Sequence, residues 1–126
     1  MKRMRFVVPF YDIDVTLIQV ESSKDAKAVE RNLKPLDAPK DEVDEVVDAV
    51  RRSAYDGGDT FREFRYKRMV VIFYEFHSDI KRAEVYSHEK RHIEDRILQY
   101  AGVNDIESAG MLAGYLGVQF YKFERL

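Results

Sequence analysis

The chain of 126 residues has no Cys and no Trp, and only 3 Pro, 6 Gly and 3 His. Without Cys there is no disulfide, no thiolate nucleophile and no Cys-held zinc, so any metal must rest on His, Asp or Glu. Neither charge is in excess: 21 Lys and Arg face 23 Asp and Glu, a net charge of −2. That balance argues against a general nucleic-acid binder, whose phosphate contacts need a basic surplus. No apolar run approaches the ~20 residues of a membrane span. The short apolar stretch Phe6 to Phe10 runs into Tyr11 and Asp12 and does not read as an export signal. The expectation is a cytoplasmic protein with no membrane partner, free of internal repeats and low-complexity segments.

What is present suits a packed core. Hydrophobic residues make up 45% of the chain, with 8 Tyr and 8 Phe, and charged residues reach 35%, above the usual share of about 25%. This reads as one domain over residues 1–126 with a well-solvated surface. Phe6 to Phe10 and the alternating Ile13, Val15 and Leu17 predict a hairpin, with Pro9 placing the first strand at an edge or bulge. Ser23 can cap a helix carrying Ala26, Val29 and Leu33, which Pro35 ends. Val43, Val46, Val47, Val50 and Ala54 form the stripe of a second helix, acidic at its start and basic at its end, as the helix dipole favours. The Asp56-Gly57-Gly58-Asp59 turn leads into Phe61, Phe64 and Tyr66, interleaved with Arg62, Arg65, Lys67 and Arg68. Such interleaving can stack single-stranded nucleic acid, but the net charge favours an edge strand or loop with its rings turned inward. Met69 to Phe76 should be the central strand. Ser78 and Gly102 bracket a long helix, and Asn104, with Glu107 three residues on as in a capping box, opens another. The predicted fold is α+β: a small antiparallel sheet, helices on one face, and a C-terminal antiparallel helical hairpin.

The long helix contains His88-Glu89-Lys90-Arg91-His92, an H-E-x-x-H sequence. Residues four apart lie one above the other on a helix, so both imidazoles can reach one ion. The residue after the first His projects about 100° around the axis, beside that ion. A carboxylate there can take a proton from water whose pKa a metal has lowered to about 7. Asp95 shares the His face, but three ligands on one straight helix would span about 10 Å. It is better placed to accept from an imidazole N–H. His77 lies three turns before His88, too far to share its ion.

In His88, Glu89 and His92 the chain resembles the zincin metallopeptidases, in which these positions are two zinc ligands and the general base. It departs from them in carrying Lys90 and Arg91 at the two central positions, which are usually uncharged. The metzincin extension with a third His is absent. Glu107 resembles the carboxylate ligand that gluzincins carry on a helix after the motif, here across a shorter gap, and the alternative for it is a capping-box role. Gly110, Gly114 and Val118 share its helix face and would allow close approach of a neighbouring helix. Tyr115 offers an oxyanion donor, or else a core ring. The segment Tyr86 to Gly117 also looks like small uncharacterised proteins of bacterial phages and mobile elements, which supplies no activity.

The resemblance implies a minimal zinc-dependent peptidase: His88, His92 and Glu107 on Zn2+, Glu89 as base, and a peptide or protein as substrate. Two alternatives stand beside it. One is a non-catalytic interaction or structural module, with or without metal. The other is a nucleic-acid accessory protein of a mobile element, using Phe61 to Arg68.

Overall fold

The computed structural model describes residues 1–126. Strands β1 (Lys2–Val8) and β2 (Ile13–Gln19) form the expected antiparallel hairpin. Helices α1 (Ala26–Leu33) and α2 (Lys40–Arg51) follow, then a second hairpin of β3 (Gly58–Glu63) and β4 (Arg68–Phe73). Helices α3 (Asp79–Ala101) and α4 (Ile106–Glu124) complete the chain. The α+β class and the C-terminal helical pair agree with the sequence, and H-E-x-x-H lies on α3. No helix is long and apolar enough to cross a membrane.

Two details of the predicted sheet differ. The strand order is β1-β2-β4-β3, and the central pair β2 and β4 is parallel, so the sheet is mixed and not wholly antiparallel. The crossover through α1 and α2 supplies the length that a parallel return needs. Helices also cover both faces of the sheet, not one. Val15, Leu17, Met69, Val71 and Phe73 pack under α3 and α4, whereas Ile18, Val70 and Ile72 pack under α1 and α2. The unbroken apolar run Met69 to Phe73 is the local sign of this, since a strand buried on both faces has no polar alternation.

Local chemistry sets the helix boundaries. The Ser78 side chain accepts from the backbone N–H of Lys81 and starts α3, and Gly102, at φ 69°, ends it. Two caps fall one residue from their expected places. Ser22, not Ser23, caps the 3-10 turn before α1, in a capping box with Asp25. Asp105, not Asn104, caps α4, accepting from the N–H of Ser108 at 2.8 Å. Glu107 therefore falls inside the first turn and forms no capping box.

A buried polar pin joins the sheet to α3. Gln19 donates from Nε2 to the carbonyls of Val20 and Tyr74, at 3.0 and 2.9 Å, and accepts from the Tyr86 hydroxyl at 2.6 Å. Farther along, α3 lies so close to β3 that a Cβ on Gly58 would meet Ile72 O at 3.1 Å, Glu89 Cγ at 3.2 Å and Phe73 Cδ1 at 3.3 Å. Backbone on one side and packed side chains on the other leave a larger residue nowhere to go. Gly58→Val is expected to lower the unfolding free energy by about 1–3 kcal/mol, measured as a reduced urea midpoint at unchanged m-value.

Candidate metal centre

Helical spacing brings the two imidazoles together. His88 Nε2 and His92 Nε2 are 2.9 Å apart, with ring centroids at 4.5 Å and planes at 83°. At that distance the two ring nitrogens are in hydrogen-bond contact. A divalent ion held by both nitrogens would sit between them. Two metal–nitrogen bonds of about 2.1 Å at a tetrahedral angle set the nitrogens about 3.4 Å apart. To hold an ion the pair would have to open by about 0.5 Å, an adjustment open to an exposed His88 and a half-buried His92. One carboxylate oxygen of Glu89 completes the group: ligand atoms of His88, Glu89 and His92 all lie within 4.8 Å of one another.

Glu89 differs from its neighbours in being buried, with 6% of its surface exposed. It projects into the gap over Gly58, where the Thr60 hydroxyl donates to its Oε2 at 2.5 Å. Gly58 and Thr60 pair with Phe73 and Val71 of β4 and so share the face beneath α3. A hydrogen bond to a charged acceptor is worth about 1.5–3 kcal/mol, enough to hold the carboxylate in one orientation. Its Oε1 has no donor. Farther along the same flank Arg62 lies near Arg96, and burial, then the charge of Arg96, lowers the pKa of Arg62.

The remaining expected site residues lie elsewhere. Glu107 is exposed at the start of α4 and does not join the His pair. Two features of α3 explain why. The α4 residue level with the motif is Gly117, whose Cβ position is 3.8 Å from Lys90 Cε, and Glu107 lies roughly 15 Å back along the helix from there. Lys90 also points toward α4, and His88 projects about 200° away around the axis, so α4 is on the wrong side to supply a ligand. The glycine face expected to bring the helices together makes no such approach, since nothing lies within 4 Å of a Cβ at Gly110 or Gly114. Asp95 is exposed and accepts from Arg91 at 3.3 Å, not from an imidazole. Lys90 pairs with Glu94 at 2.5 Å, so both central cations of the motif are matched by acids four residues on. The Tyr115 hydroxyl donates to the Val7 carbonyl at 3.0 Å, tying α4 to β1 away from the His pair. His77, as expected, stands apart: its Nδ1 is 2.7 Å from Asp56 Oδ2, and its ring stacks on Tyr55. Thr60 and Gly58, which position Glu89, carried no signal in the sequence beyond belonging to a turn and a strand.

No family model matches the chain, and no curated protein or solved structure matches it. The chemistry of the site therefore rests on its geometry.

Asp59, between Gly58 and Thr60, faces the other side of β3, where the Tyr74 hydroxyl donates to its Oδ2 at 2.5 Å. Burial holds the Asp59 carboxyl above its ordinary value near 3.8; the Tyr74 bond opposes this and the charge of Glu89 adds to it. A carboxyl whose folded pKa lies above its unfolded one binds its proton more tightly in the folded state. Its contribution to stability is full below the unfolded value and is lost as pH rises through the folded one. Asp59→Asn keeps an acceptor for Tyr74 and does not titrate. The variant is expected to gain on the parent as pH rises above the ordinary carboxyl range, read as the difference between their urea midpoints.

Proposed function

We propose that the chain is a small metal-dependent hydrolase, a minimal cytoplasmic metallopeptidase, whose ion is held by His88 and His92 and whose general base is Glu89. The observation that carries this reading is the convergence of two imidazole nitrogens and one sheltered carboxylate within 4.8 Å. The donor set fits a borderline-soft divalent ion, and imidazole with carboxylate suits zinc. A bound ion supplies Lewis acidity, polarising a carbonyl and lowering the pKa of water.

The protein's own part is done by Glu89. With Oε2 held by Thr60, the free Oε1 accepts the proton of the attacking water and returns it to the leaving amine nitrogen. Two imidazoles leave more positions to solvent than the three protein ligands of a typical catalytic zinc site, so binding should be weaker and exchange faster. A peptide substrate is favoured by β3, an edge strand whose residues line a groove of about 700 Å³ that reaches from Glu45 on α2 to Thr60 and Arg96. An extended peptide can pair with such an edge by main-chain hydrogen bonds.

One observation favours a second reading. The bond between Thr60 and Glu89 also suits a plain packing contact, which would leave the His pair as a stabilising metal site on a non-catalytic interaction module. Stacking of nucleic acid on Phe61 to Arg68 has less support. Phe61 packs against the α2 layer, and Phe64 stacks on Tyr100 at 4.5 Å.

The expected result is saturable zinc binding measured by elemental analysis and calorimetry, weakened at least about tenfold in His92→Ala. Glu89→Gln should retain zinc while cleavage of a peptide library falls by about 10²–10⁴. Zinc binding with no cleavage by any form would support the interaction module. Unchanged zinc affinity in His92→Ala would remove the metal centre from α3.

A further inference from the structure

The face of the sheet opposite α3 holds a second concentration of chemistry. Strand alternation places Arg3 and Arg5 of β1, Asp14 and Thr16 of β2 and Arg68 of β4 on this side. One half of the face is covered by α1 and α2 through Ile18, Val70 and Ile72. The other half opens as a pocket of about 310 Å³, whose lining includes Arg3, Arg5, Arg31, Arg68, Thr16 and Asn32, with Asp14 its only carboxylate.

The cations are partly fixed in place. Asp14 grips Arg5, whose Nε lies 2.9 and 2.8 Å from the two carboxylate oxygens, and Arg3 Nε donates to Asn32 Oδ1 at 2.8 Å. Arg31, at the end of α1, and the half-buried Arg68 make no ion pair. The floor is polar too. Thr16 sits on a central strand with 6% of its surface exposed, and its hydroxyl makes no hydrogen bond to the protein. Four permanently charged guanidinium groups around one carboxylate give a local excess of +3 on a chain of net charge −2. Such crowding is self-repulsive unless an anion shares the site. Guanidinium forks from three elements above a hydroxyl floor match an anion with several oxygens arranged around one centre.

We propose that this pocket binds the phosphoryl group of a small phosphorylated ligand. Its volume is at the lower end for ligand sites, and the nearly neutral chain offers no basic track for a polymer backbone. The site is independent of the metal centre, which lies on the other face of the sheet.

Calorimetry and thermal unfolding with inorganic phosphate, with a nucleoside monophosphate and with a single-stranded oligonucleotide test the proposal, ionic strength being matched with chloride. Saturable binding of phosphate or the monophosphate at one site per chain is expected. Arg68→Gln and Arg31→Gln should each weaken it by about tenfold. Thr16→Val is the discriminating variant: replacing the unbonded hydroxyl that opens onto the pocket by methyl should leave the unliganded protein folded and about as stable while weakening phosphate binding. Arg31 is exposed on α1, so its variant keeps the test valid should Arg68→Gln fail to fold. Phosphate acting no differently from chloride would overturn the proposal. So would equal affinity in all variants, or an oligonucleotide that binds without competition from phosphate.

Discussion

The position of α3 depends on one close approach, that of Glu89 to Thr60 across the space left by Gly58. A carboxylate taken out of water needs a donor, and here the donor is a hydroxyl on an edge strand. The arrangement works only while residue 58 has no side chain, because the Glu89 stem occupies the volume a Cβ would need. With Tyr86 bonded to Gln19 one turn earlier, the helix has two polar pins and little freedom to roll. Ile93 and Ile97, both fully buried, then fill the interface between helix and sheet. The His pair takes its place from this rotation: Glu89 faces the sheet, so His88 and His92 must lie on the flank next to β3 and open to solvent.

Much of this frame was legible from local chemistry. Ser78 and Gly102 bracket α3 because capping is decided within a few residues. The hairpin of β1 and β2 and the central place of Met69 to Phe73 follow from alternation and apolar density. The one-residue errors at Ser23 and Asn104 arise where adjacent residues can both cap, and backbone geometry selects Ser22 and Asp105. Strand partnership is of another kind. Nothing near Ile13 to Gln19 announces that its second neighbour will be a parallel strand about fifty residues later in the chain. The bond from Thr60 to Glu89 has the same character, joining residues 29 apart in sequence.

The candidate site divides along the same line. The i, i+4 relation of His88 and His92 is a property of one helix and is visible in the sequence. Which element faces them is a property of packing and is not. Glu107 follows α3 closely in the chain, yet the face α3 turns to α4 is that of Lys90, resting beside Gly117 and paired with Glu94. The element flanking the imidazoles is β3, and the residues it presents on that side are Gly58, Thr60 and Arg62. None of these is a carboxylate. The candidate group is therefore confined to what one turn of α3 provides, and its openness follows from topology.

The sheet order links this openness to the pocket on the opposite face. Because β2 and β4 occupy the centre, both hairpins turn their outer strands, β1 and β3, toward the edges. Four helices are too few to cover both faces out to both edges. Helices α3 and α4 divide one face, α3 over β3 and α4 over β1, where Tyr115 reaches Val7. On the other face, α1 and α2 cover the end holding Ile18, Val70 and Ile72 and leave a pocket, walled by Arg31 and Asn32, over the end holding Thr16 and Arg68. An apolar floor at that end would expose surface that a stable fold hides. A floor of arginine, threonine and asparagine remains wetted, and so remains able to exchange water for an anion. The same economy of cover leaves β3 with a free edge beside the His pair, so each half of the sheet has one uncovered margin bearing side chains capable of binding.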